Sequence, residues 1–221
     1  MPDIAARETP APQVSPDNPC PFLRALVAGD YVGGHVVPLP ELTRTIGRAT
    51  GKNGLPALDA NAKIFMVAQM ANGIGPFSQL RSLTKGAILD ELRNGPLDKH
   101  GAGSRILDQY AVVHEDEIAR LATFGKDYAN PDGGTERGLS ASDIKSFMAA
   151  NFQRAKDEHP PSYAILHFYY PLLMLGEWPV LLDIMGKGEG EERYLSVAEV
   201  RTLFVERRFP DRIVARLQHG P

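Results

Sequence analysis

The sequence DNPCPFLRALVAG, residues 17–29, contains the only cysteine in a chain of 221 residues. Cys20 stands between Pro19 and Pro21, directly before an apolar run that ends at a glycine. A proline at the first helical position and a glycine just past the end are typical of a short helix, so we predict a helix over 21–28. Cys20 is then the N-cap, where unpaired N–H groups and the positive end of the helix dipole favour a thiolate.

Two interpretations of Cys20 follow from the residues alone. A lone cysteine in an intracellular protein is usually a small buried apolar side chain, protonated and inert. A cysteine at a helix N-terminus is instead a candidate metal ligand, because the thiolate is the form that binds metals. A single cysteine excludes an intramolecular disulfide and any multi-cysteine zinc or iron–sulfur site. Haem iron, which accepts one axial thiolate, is the leading partner for such a ligand.

Helical patterns dominate the rest of the chain. Ser140 with Asp143, and Ser196 with Glu199, have the spacing of capping boxes and predict two helix starts. No stretch shows a convincing series of strands, and KDYANPDGGTERG, residues 126–138, is predicted to be a loop from its Gly, Pro, Asn and Asp content. We therefore predict an all-α fold. It consists of a flexible N-terminal tail over 1–18, followed by one mostly helical domain with long loops over 19–221.

Composition narrows the classes of function. The net charge of −3, without a cluster of Lys and Arg, gives no reason to expect nucleic-acid binding. The longest apolar stretch, residues 163–182, contains two prolines, a histidine and a glutamate, so we expect a buried helix rather than a membrane span. The N-terminus has no apolar signal-peptide core and the chain has no Asn-X-Ser/Thr site, so we expect a cytoplasmic protein.

Four segments together resemble one family. PCPFLRALVAGDYV, residues 19–32, is similar to the proximal motif of the haem-thiolate peroxidases, the family of fungal chloroperoxidase and the unspecific peroxygenases. LDQYAVVHEDEIARL, residues 107–121, resembles the central Glu-His-Asp element of that family. GEWPVLLDIMGKG, residues 176–188, resembles the segment with the distal glutamate, and LSVAEVRTLFVERRFPDR, residues 195–212, resembles the final helix. The resemblance implies a helical peroxidase domain.

The resemblance also implies a proximal side for the site. The cofactor is haem b, with Cys20 as the axial ligand of its iron and with Pro19, Pro21 and Phe22 in the binding segment. The partners are hydrogen peroxide and a small organic substrate or halide. In that family the thiolate promotes O–O cleavage by donating electron density through the iron.

On the distal side, the resemblance makes Glu177 the acid–base group that moves a proton between the two peroxide oxygens. His114 falls on the histidine that orients this glutamate in the chloroperoxidase branch. Peroxygenases have a glycine there and use an arginine near the glutamate, whereas this chain has Tyr170 at the arginine position. We therefore expect the chloroperoxidase arrangement. Without the resemblance, His114 is better explained as an exposed polar residue in an acidic turn.

The resemblance further implies a divalent cation, Mg²⁺ or Mn²⁺, beside a haem propionate. The family binds it with an acidic residue and a serine, and this chain has Val113 and Glu117 at those positions. The first change removes one hard oxygen ligand, while Glu117 can supply another.

Two alternatives remain open. The chain is a non-catalytic haem-binding protein, such as a sensor or carrier, if Cys20 ligates iron but the distal side has diverged. It is a cofactor-free helical interaction domain if Cys20 is structural. Binding of haem would distinguish the peroxidase and the non-catalytic haem-binding protein from the cofactor-free domain. Peroxide-dependent turnover would then distinguish the peroxidase from the non-catalytic haem-binding protein.

Overall fold

Helix is the main element of the chain. The computed structural model describes residues 13–51, 86–92, 104–108, 110–130, 133–158 and 177–219. The helices in these ranges are α1 (Pro21–Ala28), α2 (Leu39–Thr50), α3 (Glu115–Phe124), α4 (Ala141–Glu158), α5 (Glu177–Met185), α6 (Val197–Val205) and α7 (Asp211–His219). The predicted dominance of helix is confirmed for this part of the chain, in which no helix is long and apolar enough to cross a membrane.

Two small antiparallel sheets correct the prediction of a purely all-α fold. In the first, β1 (Val36–Val37) pairs with β2 (Ala87–Ile88), which runs directly into a 3₁₀ helix (Leu89–Glu91). The second has the strand order β3-β4-β5. Its members are β3 (Lys126–Ala129), β4 (Thr135–Leu139) and β5 (Leu195–Ser196).

The hairpin β3–β4 occupies the segment 126–138 that the sequence predicts to be a loop, so that prediction is wrong. Lys126 pairs with Gly138 and Ala129 with Thr135. Most of the strand residues are exposed or half-buried, and the segment therefore lacks the apolar alternation that marks a strand. The Gly and Asn residues indicate only the turn between the two strands. There the N–H of Asn130 donates to the carbonyl of Gly134 at 3.0 Å.

Both predicted capping boxes begin helices. At the start of α4, the N–H of Asp143 donates to Ser140 Oγ at 3.2 Å, and the N–H of Ser140 donates to Asp143 Oδ2 at 2.9 Å. At the start of α6, the N–H of Glu199 donates to Ser196 Oγ at 3.4 Å. Each contact satisfies a first-turn N–H group that the helix itself leaves unpaired.

The apolar core contains α1 and the aromatic rings of three later helices. Every residue of α1 from position 21 to 27 is buried. The Phe22 ring meets Phe209 edge-on, with centroids 5.0 Å apart. Trp178 of α5 packs edge-on against Phe147 of α4 and stacks on Phe204 of α6. Burial of these side chains is the main driving force that joins the elements.

A nearly buried carboxylate links the hairpin to the segment that follows α5. Glu136 Oε1 accepts hydrogen bonds from Lys187 Nζ at 2.7 Å and from the Tyr194 hydroxyl at 2.8 Å, and its Oε2 accepts one from Ser196 Oγ at 2.7 Å. Burial raises the pKa of Glu136, but the hydrogen bonds from Lys187, Ser196 and Tyr194 outweigh it and hold the pKa below its usual range. The Glu136 carboxylate is therefore ionised and stabilising in the folded state at neutral pH.

We expect Glu136→Gln to lower the free energy of unfolding by about 1.5–3 kcal/mol at neutral pH, because three charge-assisted hydrogen bonds are lost or weakened. Since the folded-state pKa of Glu136 is depressed, its stabilisation is present above the unfolded-state pKa and disappears as the pH falls through the folded-state pKa. The difference between the two proteins, measured by urea unfolding, should shrink in acid. Glu191→Gln, the same change at an exposed position, is the control. Equal loss in both variants contradicts a central role for Glu136.

Candidate functional site

Cys20 is the N-cap of α1, and the helix has the predicted bounds. Its backbone is extended, with φ −76° and ψ 113°, and its carbonyl accepts the N–H of Arg24 at 3.0 Å. The side chain is half-buried and packs against the apolar core. Pro21, which lacks an N–H, begins the helix. The thiol therefore lies at the positive end of a helix dipole, where a thiolate is favoured.

The backbone before Cys20 is fixed by two buried polar side chains that sequence reasoning missed. Asn18 is 1% exposed and its Oδ1 accepts the N–H of Cys20 at 3.1 Å. Arg24 is 3% exposed, and its Nη1 donates to the carbonyls of Ser15 at 3.2 Å and Asn18 at 3.1 Å. The one available signal was a single arginine inside an otherwise apolar helix. We call these contacts the Arg24 clamp.

The Arg24 clamp binds two residues of the segment 1–18 that the sequence predicts to be a flexible tail. Residues 13–18 lie against α1, with Ser15 and Asn18 buried. The N–H of Asp17 donates to Ser15 Oγ at 3.1 Å, which adds a local turn. Residues 1–12 lie outside the described ranges.

The three residues that flank the thiol differ in burial. Pro19 is half-buried and Pro21 is buried. Phe22 is 7% exposed, and its ring packs on Phe209 and therefore contributes to the core. Its role in this segment is to hold the start of α1 in place, which fixes the backbone that carries Cys20.

His114 is the N-cap of α3 and its nearest acidic partner is Asp108. The His114 Nε2 atom lies 3.3 Å from Asp108 Oδ2, and the histidine side chain is 44% exposed. Asp108 Oδ1 also accepts the N–H groups of Tyr110 and Val112. Burial raises the pKa of Asp108, but these two N–H groups and His114 outweigh it and lower the pKa. His114 is thus paired with Asp108, a carboxylate of the segment directly before α3.

Glu177 is the first residue of α5, and the structure describes its backbone only. The predicted pairing of Glu177 with His114 therefore stays a prediction. Tyr170 lies outside the described residues.

Glu117 is held by arginines. Its side chain is 13% exposed, with Oε1 2.7 Å from Arg154 Nη1 and Oε2 3.2 Å from Arg154 Nη2. Arg120 Nη1 lies 3.5 Å from Oε2. A cation at Glu117 has to displace the bidentate Arg154. In the described part of the chain, no group of three or more His, Cys, Asp or Glu side chains could hold a metal ion.

The elements that carry these residues share neighbours. The helix of Cys20, α1, and the helix that His114 caps, α3, both contact α6. The helix that begins at Glu177, α5, contacts α4, and α4 also contacts α3. The structure thus gathers the three segments around α4 and α6, while Glu117 joins the arginines between α3 and α4.

The donor atom of Cys20 is of the chemical type that a haem iron accepts. A haem attached through one thiolate requires a single sulfur donor at an electropositive position and an apolar wall beside it. Cys20 would supply the donor at the start of α1, and its side chain packs against the apolar core. No protein-family model, curated protein or solved structure matches the chain. The resemblance to the haem-thiolate peroxidases accordingly rests on the four quoted segments alone.

We expect Arg24→Met to loosen the segment before Cys20, because the Ser15 and Asn18 carbonyls lose a charged donor worth about 1.5–3 kcal/mol. Hydrogen exchange should accelerate at the amides of Asp17, Asn18 and Cys20. Arg44→Met is the matched control, because Arg44 is exposed on α2. Unchanged exchange in Arg24→Met, measured by mass spectrometry or NMR, contradicts the Arg24 clamp.

Proposed function

We propose that this chain is a haem-thiolate peroxidase or peroxygenase, a single helix-dominated domain that uses hydrogen peroxide to oxidise or oxygenate a small organic substrate or a halide. The observation that carries the proposal is the position of Cys20. The one cysteine of the chain is the N-cap residue of α1. Pro21 follows at the first helical position, and the Arg24 clamp fixes the backbone before Cys20.

Cys20 would hold haem b, which supplies peroxide-activating redox chemistry when it is bound. The protein's own contribution on this side is electrostatic and geometric. The first turn of α1 favours the thiolate, and the buried Arg24 clamp limits movement of the backbone that carries it. Pro19 and Pro21 restrict the same backbone, because each proline fixes its own φ.

Glu177 is the proposed acid–base group. As a carboxylate it would accept a proton from one oxygen of hydrogen peroxide and return that proton to the other oxygen. Trp178, the next residue, is buried among aromatic rings and so anchors the first turn of α5. His114 is proposed as a positioning residue for Glu177.

A haem-binding protein without peroxidase turnover is the second candidate. Two observations favour it: His114 lies 3.3 Å from Asp108, and Val113 replaces a carboxylate of the resembled family. The divalent cation is left out of both candidates, because Arg154 already neutralises Glu117. The cofactor-free alternative differs from both in binding no haem.

The ligand assignment predicts a strongly red-shifted Soret band when the haemin-loaded protein is reduced and exposed to carbon monoxide. Cys20→Ser should lose this band, because the chain has no other thiol. A conventional haem–carbon monoxide band in both proteins, or no haem binding by either, contradicts the proposal. The same spectra also decide against the cofactor-free alternative if the red-shifted band is present.

The acid–base assignment predicts that Glu177→Gln lowers peroxide turnover by about 10²–10⁴-fold while the haem spectrum is retained. His114→Ala should lower it less, through the orientation of Glu177. His35→Ala is the matched control, because His35 also pairs with an aspartate, Asp90, at 2.8 Å. Full turnover in Glu177→Gln contradicts the assignment. Turnover absent from the haem-loaded wild type favours the non-catalytic candidate.

A further inference from the structure

Three arginines converge where the loop before α3 meets α3 and α4. We call Arg105, Arg120 and Arg154 the arginine cluster. Two carboxylates pair with it: Glu117 with Arg154 and Arg120, and Glu158 with Arg105. Among these five side chains, the three guanidinium groups outnumber the two carboxylates by one. Each arginine side chain keeps about a quarter of its surface exposed, which leaves the cluster open to a ligand from solvent.

The like charges in the arginine cluster are close enough to perturb one another. Burial lowers the pKa of Arg120, and the neighbouring charge of Arg154 lowers it further. The charge and hydrogen bond of Glu117 oppose this, and the charge of Arg105 makes the smallest contribution, which also lowers the pKa. The Arg120 guanidinium also lies 5.5 Å from the ring centroid of Phe124 and 5.6 Å from that of Phe147, and these rings fix its position. A rigid arrangement of repelling cations is stabilised by an anion.

Donor groups remain for such an anion. Arg120 uses one nitrogen, Nη1, for both Asn151 Oδ1 and Glu117. Its Nε and Nη2 groups have no hydrogen-bond partner among the described residues. These two N–H groups form the side of a guanidinium that binds an oxyanion through two parallel hydrogen bonds. Beside it, Arg154 Nε is buried without a hydrogen-bond partner.

The backbone at Arg105 adds a separate observation. Its φ is +58°, a left-handed conformation that costs free energy in a residue with a side chain. In this conformation Arg105 donates to Glu158 through Nη1 and Nη2, at 3.2 and 2.5 Å. Arg105 therefore lies beside Arg120 and Arg154 with its backbone in a strained conformation.

We propose that the arginine cluster is a binding site for an oxyanion, a carboxylate or a phosphate group, with the Nε and Nη2 groups of Arg120 as its donors. The site goes beyond the proposed peroxidase function and does not depend on it. Glu117 and Glu158 keep the cluster folded when the anion is absent, and the excess positive charge provides the attraction.

The test is thermal unfolding of the full chain with sodium phosphate or sodium succinate, at an ionic strength matched with sodium chloride. An anion at about five times its Kd should raise the Tm by about 2–4 °C above the chloride value. The rise should vanish in Arg120→Gln and persist in Arg201→Gln. The second variant removes the same charge from an exposed arginine that pairs with Glu115.

The choice of probe identifies the anion. A rise with phosphate alone assigns a phosphate group, and a rise with succinate alone assigns a carboxylate. A shift of the Arg120 Nε–H signal of the wild-type protein, in ¹H–¹⁵N spectra assigned with Arg120→Lys, should follow the same titration. This keeps the test valid if Arg120→Gln does not fold. No Tm rise above chloride, or an equal rise in Arg120→Gln, overturns the proposal.

Discussion

The nearly buried carboxylate of Glu136 is the constraint on which the positions of the other elements depend. A carboxylate that is 14% exposed and lacks partners is costly, so folding has to bring Lys187, Tyr194 and Ser196 to it. Ser196 is also the N-cap of α6, which makes one serine serve both the carboxylate and the helix start. The hairpin thereby sets where α6 begins. Because α1 and α3 both pack on α6, the carboxylate also influences where Cys20 and His114 lie.

The Arg24 clamp solves a similar problem by different means. Arg24 donates to backbone carbonyls, whereas Lys187 donates to a carboxylate. Its carbonyl acceptors place the guanidinium across the N-terminal end of α1. Arg24 gives the Asn18 carbonyl a donor, and gives the Ser15 carbonyl a second donor besides the N–H of Asn18. A thiol on this helix therefore has a backbone fixed on both sides. A metal ligand benefits from such support, because the surrounding shell holds it in the binding geometry.

Local signals made much of the helical fold predictable. The Pro–Gly frame of α1 and the capping boxes of α4 and α6 gave helix starts that the structure has. The hairpin was missed because its strands are mostly exposed and are stabilised by pairing with each other and with β5, about 60 residues later. The partners of Glu117 and Glu136 were missed for the same reason. Spacing along a chain identifies neighbours within one helix, but it does not specify which helices meet. The side chain of Glu177 and residues 159–176 lie outside the described ranges, so the distal half of the predicted site remains a prediction.

The two candidate sites differ in what their cations do. At Cys20, Arg24 donates to carbonyls of the adjacent segment, and the sulfur is the proposed ligand-binding atom. At the arginine cluster, Glu117 and Glu158 neutralise two of three charges, and the remaining donors of Arg120 face no acceptor among the described residues. In the two proposals, the first arrangement would supply one soft anionic donor to a metal, and the second would supply N–H donors to an oxyanion. Because the two sites use different residues on different helices, loss of one by mutation leaves the other intact. The haem proposal and the oxyanion proposal therefore stand or fall separately.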